Sequence, residues 1–203
     1  MYIPKVFEIS DKDEIFKFIE ANAFGQIISK VDGEFFSSHV PFLVSEDKAK
    51  IFGHLAKQNP QHAGLEGQEV LITLQGVHDY ISPSWYVDSG VPTWNYQAVH
   101  IYGKCRVFHD TEKLKLIVDS LSNKYEAGFQ LPWVPEYKAS MLSAIIGFEV
   151  VISKIQCKHK LSQNKTCEDQ LRVIEKLKES GSIALAEAME RNNFGRIKIH
   201  KGS

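Results

Sequence analysis

Residues 80–103 read YISPSWYVDSGVPTWNYQAVHIYG. The stretch holds two Trp, four Tyr, two Pro and two Gly, and it ends in alternating, strand-like residues. Exposing so much ring area to water is unfavourable, at roughly 25 cal/mol per Å². The rings must therefore be buried against the chain's own core, a partner subunit or a flat ligand. Buried indole N–H and phenol O–H groups also need polar partners. Flat surfaces with a few placed donors suit a heteroaromatic ligand, and a core plug or dimer seam suits them equally.

The residues on either side of this stretch place it among antiparallel strands. Upstream, Gly25 opens a strand through Val31, and Asp32-Gly33 is a hairpin signal because both residues tolerate positive φ. The return strand, Phe35 to Val44, contains Pro41, which confines it to an edge or a bulge. Further strands are expected over 50–55, 69–75, 97–108 and 148–155. Helices are expected over Ser10–Glu20, with Ser10 as cap, and for about two turns after Asn59-Pro60. Others follow from Thr111, over 136–145, over 168–179 with Thr166 as cap, and over 183–191. Hairpin-linked strands without regular strand–helix alternation predict an α+β fold, a small antiparallel barrel packed by helices.

Composition bounds the function. The 203 residues are 43% hydrophobic and 24% charged, which calls for a packed core. No apolar run approaches the roughly 18 residues of a membrane span, and MYIPKVFEIS lacks the blocks of a signal peptide. Three cysteines without C-x-x-C spacing fit reduced cytoplasmic thiols. From Lys154 onward there are 11 basic and 6 acidic residues, against 13 and 19 before it. A basic end on an acidic body fits a phosphate, a nucleic acid, an acidic subunit or simply a solvated face.

No Rossmann or P-loop glycine pattern is present. GHLAKQNP (53–60) sets His54 and Lys57 at a strand end before a capped helix, where free amides attract anions. KHKLSQNK (158–165) is a second basic, amide-rich segment, read as a connector loop. Each is also compatible with solvated surface. The eight histidines show no metal-ligand spacing, and no nucleophile elbow occurs. The last two helices, joined by Ser180-Gly181-Ser182, are too acidic and apolar for a DNA-reading pair, and a packing role suits them better.

Taken together, MYIPKVF, SSHVPFLV (37–44), GHLAKQNPQ (53–61), YISPSWY (80–86), VPTWNYQAVHIYG (91–103) and KLSQNK (160–165) resemble the PaiB family. The family is one of bacterial, FMN-binding split-barrel negative transcriptional regulators. The resemblance runs from residue 1 to about 190. It implies a split antiparallel β-barrel, residues 1–157, with a helical extension over 158–195 that packs on the barrel or a dimer partner. It also implies a homodimer with a flavin site at its seam. In that site Ser37, Ser38, His39 and Pro41 would line the ring, and His54, Lys57 and Asn59 would lie near the phosphate or ribityl chain. Ser82, Ser84, Trp85, Trp94, Asn95 and Tyr96 would wall the pocket, and Ser162, Gln163, Asn164 and Lys165 would close it. The implied roles are repressor with DNA as partner, flavin oxidoreductase, or haem protein with His39, His54 or His62 as axial ligand. His62 stands where the family pattern has an aromatic Trp.

Overall fold

The computed structural model describes residues 1–88 and 90–195. The strands are β1 (Glu8–Ile9), β2 (Phe24–Val31), β3 (Glu34–Pro41), β4 (Leu43–Val44), β5 (Lys50–Ala56), β6 (Glu69–Ile81), β7 (Thr93–Phe108) and β8 (Ile145–Lys160). The helices are α1 (Lys12–Ala21), α2 (Gln61–Leu65), α3 (Thr111–Glu126), α4 (Ala139–Leu142), α5 (Cys167–Glu179) and α6 (Ile183–Asn193). The sheet order is β3-β2-β6-β7-β8-β5-β4, with β1 added on β8. The pairings β2–β3, β2–β6, β4–β5, β5–β8 and β1–β8 are antiparallel. The α+β expectation holds.

Local chemistry explains most element ends. Asp32 and Gly33 turn the β2–β3 hairpin with φ of 51° and 86°, so Val31 lies opposite Glu34. Pro41 ends β3, which is terminal in the sheet order, as a residue without an N–H requires. The return strand is not continuous to Val44: Phe42 leaves the ladder, donates its N–H to the Ala23 carbonyl (2.7 Å) and is fully buried. The cap of α1 is Asp11, which accepts from the Glu14 N–H at 2.8 Å, not Ser10. Thr166 caps α5 as expected, accepting from the Asp169 N–H.

Three strands exceed their expected lengths. β6 runs on to Ile81, and β7 begins at Thr93, so TWNY is strand, not loop. β8 begins at Ile145 and continues through Lys160, so KHK is strand, and the helix expected over 136–145 shrinks to α4. Gly147 does not break a helix. It pairs with His54, and an added Cβ there would meet the Phe108 ring at 2.2 Å. Long-range pairing outweighs the weak helical preference of a short segment.

The chain divides into two compact units. The first holds Met1–Ile15, Gln75–Val99 and the described residues from Gln156. The second holds Phe16–Leu74 and His100–Ile155. Each of the long strands β6, β7 and β8 contributes to both. In the first unit, Val173, Ile174 and Leu177 of α5 and Leu185, Ala186 and Met189 of α6 bury against Ile81, Tyr86 and Leu161. The apolar faces of the last two helices are thus occupied within that unit. Their charges pair locally: Lys176–Glu179, Lys178–Glu190 and Arg191–Glu187. The basic residues Arg196, Lys198 and Lys201 lie outside the described residues.

In the second unit Phe42 packs edge-on against Phe148 (6.3 Å, 68°). Glu149 is buried and bridges Lys113 (2.7 Å) and Lys50 (3.1 Å). The Lys113 ammonium also sits 4.0 Å from the centre of the Phe108 ring. Burial alone would raise the Glu149 carboxyl, but hydrogen bonds and charge from Lys113 and Lys50 outweigh it and hold it below its ordinary 4.5. A depressed folded pKa stabilises above the unfolded value, and that contribution is lost as pH falls through the folded one. Glu149→Gln is therefore expected to cost on the order of 1–2 kcal/mol at neutral pH, the half-exposed lysines keeping the figure small. Urea unfolding should show that difference closing in acid. Equal midpoints at neutral pH would show that the bridge contributes nothing.

Candidate functional site

The residues singled out by sequence fall into two clusters, one in each unit. In the second unit, β3 alternates so that Ser37 and His39 are exposed while Ser38 is half-buried on the other face. Gln26 lies directly across from His39. Its amide N–H donates to His39 Nε2 at 2.9 Å, while its Oε1 accepts from the Thr73 hydroxyl at 3.2 Å. An amide nitrogen can only donate, so a neutral His39 accepts through Nε2 and carries its proton on Nδ1. The exposed Phe24 ring stacks on His39 at 6.2 Å.

The turn after β5 is built on side chains. Asn59 Oδ1 accepts from the Gln61 N–H at 3.0 Å, and its Nδ2 donates to Ser38 Oγ at 2.7 Å. This bond brings the 37–41 and 54–59 segments together. Gln61, fully buried, donates through Nε2 to the Ile27 carbonyl (3.0 Å) and Ser29 Oγ (2.9 Å), fastening α2 to β2. His62, in the position of the expected aromatic, donates from Nε2 to the Lys57 carbonyl at 2.9 Å and so fixes that turn. The Lys57 N–H donates to the Ala144 carbonyl, and its side chain is exposed without an ion pair among the described residues. Burial pushes the His54 pKa down, favouring the neutral ring, and its buried Nδ1 has no partner.

In the first unit, Ser82 caps a single 3-10 turn, Pro83–Trp85, and shares a hydrogen bond with Ser84 at 2.8 Å. Trp85 packs on the α5–α6 core. Trp94 is 53% exposed, edge-on to Tyr80 at 6.2 Å. Asn95 is fully buried: Nδ2 donates to Ser162 Oγ at 2.9 Å, and Oδ1 has no partner. Ser162 takes φ +65° and is buried. Gln163 folds on its own turn, accepting from the Leu161 N–H and donating to the His159 carbonyl. Asn164 is exposed, and the Lys165 ammonium lies 4.1 Å from the Tyr86 ring centre. Burial raises the Tyr86 phenol despite a hydrogen bond from Ser162, and the Asp169 charge adds to the rise.

Sequence reasoning missed Gln26, Gln61 and Tyr86. It named Lys158 and Lys160 as donors that could reach a phosphate but read their segment as loop, whereas β8 sets the two on one face. Burial of Cys157 and His159 keeps this pair uncharged: the thiol is pushed up to about 12 and the imidazole down to about 4. All three cysteines are free thiols.

The model of the family described as "Putative FMN-binding domain" matches residues 1–154. The chain is 38% identical over 201 residues to "Protease synthase and sporulation protein PAI 2" of Bacillus subtilis (strain 168), covering 94% of this chain and 97% of the relative. It superposes on the FAD and haem binding protein of Mycobacterium smegmatis with a TM-score of 0.64 at 11% identity, over 81% of this chain and 78% of that one. The flavocytochrome Anf3 of Azotobacter vinelandii gives 0.61 at 16% identity, over 84% and 78%. At such identities these two likenesses concern the fold alone.

Asn59→Ala removes both the link to Ser38 and the acceptor at the start of α2. It is expected to lower stability by about 1 kcal/mol, read as a shift in unfolding midpoint. Asn59→Asp, which keeps the acceptor at the helix start, should recover part of the loss.

Proposed function

Because the chain belongs to the PaiB family of FMN-binding split-barrel proteins, we propose that it is a flavin-binding transcriptional regulator. Its FMN site includes β3 and the turn after β5. The observation that carries this reading is the Asn59–Ser38 hydrogen bond (2.7 Å), which joins the two segments. The two joined segments carry donors for a phosphorylated ring. On the face of β3 opposite Ser38, the exposed His39 and Ser37 can meet ring heteroatoms, and the exposed Lys57 ammonium can meet a phosphate. FMN, when bound, supplies redox chemistry that no side chain has. This chain's residues bind and orient it, with His62 holding the Lys57 turn in place.

Of the three candidate haem ligands, His39 and His62 engage Nε2 in hydrogen bonds, whereas the buried Nδ1 of His54 has no partner. We further propose residues 1–157 as the ligand-binding barrel and 158–195 as its extension, in a cytoplasmic homodimer that acts as a repressor on DNA. No helix among the described residues is long and apolar enough to cross a membrane. A second copy of the chain would suit the exposed sheet face that carries Phe24 and Phe35. Ile28, Phe35, Leu71 and Tyr102 line an open hollow of about 480 Å³ there.

Lys57→Ala is expected to weaken FMN binding about 10- to 150-fold, the loss of one charge-assisted contact of roughly 1.5–3 kcal/mol. Fluorescence quenching of FMN reads the dissociation constant, and an unchanged value removes Lys57 from the site. Operator-like DNA should bind less tightly as salt rises, because phosphate contacts release counterions. Salt-independent binding, or none, would count against the regulator reading. Phe35→Asp should shift the mass in solution from dimer to monomer if that face is the seam.

A further inference from the structure

We infer that the Lys158–Lys160–Lys165 face of the first unit, with Trp94 beside it, is a seat for a phosphate monoester that carries an aromatic ring. Lys158 is 6% exposed, and its ammonium donates only to the Tyr2 carbonyl (3.2 Å) among the described residues. It lies 5.1 Å from the Tyr96 ring centre and 5.8 Å from that of Tyr2. Two residues on, Lys160 donates to Thr93 Oγ1 (2.7 Å) and the Trp94 carbonyl (2.6 Å), both uncharged. Lys165 caps the Tyr86 ring.

These three cations make no ion pair with a carboxylate among the described residues. Glu8 stands across from Lys158 on β1, yet the two form no ion pair. The Asp169 carboxylate, near Tyr86, accepts from the Val87 N–H instead. Burial, then the charges of Lys158 and Lys165, lower the Lys160 pKa, so Lys160 lies within electrostatic reach of both. Ring faces and carbonyls offset part of that cost. Buried or crowded cations are ordinarily paired, and a phosphate dianion would discharge the cluster.

The aromatic half of the ligand follows from Trp94. Its indole is half-exposed, braced edge-on by Tyr80 and tilted against His78 (6.4 Å). Its own carbonyl holds the Lys160 ammonium, so a stacking surface and a cation stand at one residue. A flavin mononucleotide and a nucleoside monophosphate share this chemistry. For FMN, the inference rests on the flavin reading and gives its single phosphate these lysines in place of Lys57. For a nucleotide, it is a separate site.

Calorimetric titration of the purified full chain with FMN, 5′-AMP and inorganic phosphate tests it. Lys160→Gln is expected to weaken at least one ring-bearing ligand more than tenfold. Trp94→Ala should weaken the same ligand and leave inorganic phosphate unchanged. Because Lys160 also anchors the Trp94 carbonyl, Lys165→Gln provides a second variant less tied to folding, with circular dichroism as the check. Loss for FMN alone assigns the seat to the flavin, and loss for 5′-AMP alone assigns it to a nucleotide. Wild-type affinities in both lysine variants would overturn the inference, as would no uptake of either ligand by the folded wild type. A fall in FMN affinity with Lys57→Ala but not with Lys160→Gln or Lys165→Gln would leave the flavin reading standing and sink this one.

Discussion

The pairing of β5 with β8 is the constraint on which the second unit depends. Seven residue pairs, Lys50↔Val151 through Ala56↔Ile145, hold the two strands together. The pairing requires two glycines beside aromatic rings: a Cβ on Gly53 would meet Phe148 at 2.4 Å, and one on Gly147 would meet Phe108 at 2.2 Å. With those rings seated, Glu149 falls between Lys50 and Lys113, and the turn that carries Lys57 and Asn59 leaves the end of β5. A ladder hydrogen bond, Lys57 N–H to the Ala144 carbonyl, continues the pairing one step past the strand and fixes where the turn starts.

The two units treat buried charge differently. In the second, Glu149 is satisfied by two lysines, and the Lys113 ammonium also rests on the Phe52 and Phe108 rings, a self-contained arrangement. In the first, lysines 158 and 160 are met, among the described residues, only by carbonyls, a hydroxyl and rings. Since desolvating a cation is costly without a counter-charge, the first arrangement reads as structural and the second as prepared for an anion. The contrast also clarifies Ser162 and Asn95. Their hydrogen bond holds the turn in which Ser162 takes positive φ, and Lys165 follows three residues on. They shape the lysine-bearing turn from behind, being buried themselves.

Much of this was legible in the residues. The Asp32-Gly33 hairpin, the Thr166 cap, the Asn59-Pro60 helix start and the amphipathic α3 are local devices, readable because each is satisfied within a few residues of itself. The family motifs carried the flavin reading, because several short segments recur together in order. What misled was equally specific. Gly147 and the polar KHK triplet look like a helix breaker and a connector, and both lie in β8. TWNY looks like part of the aromatic loop, yet it opens β7.

The sequence by itself determined the class of fold, the hairpins and caps, and which segments bear cations and rings. Those follow from backbone preference and side-chain chemistry acting over one turn or one strand. Tertiary structure alone decided how far β6, β7 and β8 extend, which of the lysines are counterbalanced, and that Asn59 reaches Ser38 while His62 holds Lys57. Strand ends and buried charges depend on what lies across the ladder, often a hundred residues away, and no local pattern encodes the identity of that neighbour.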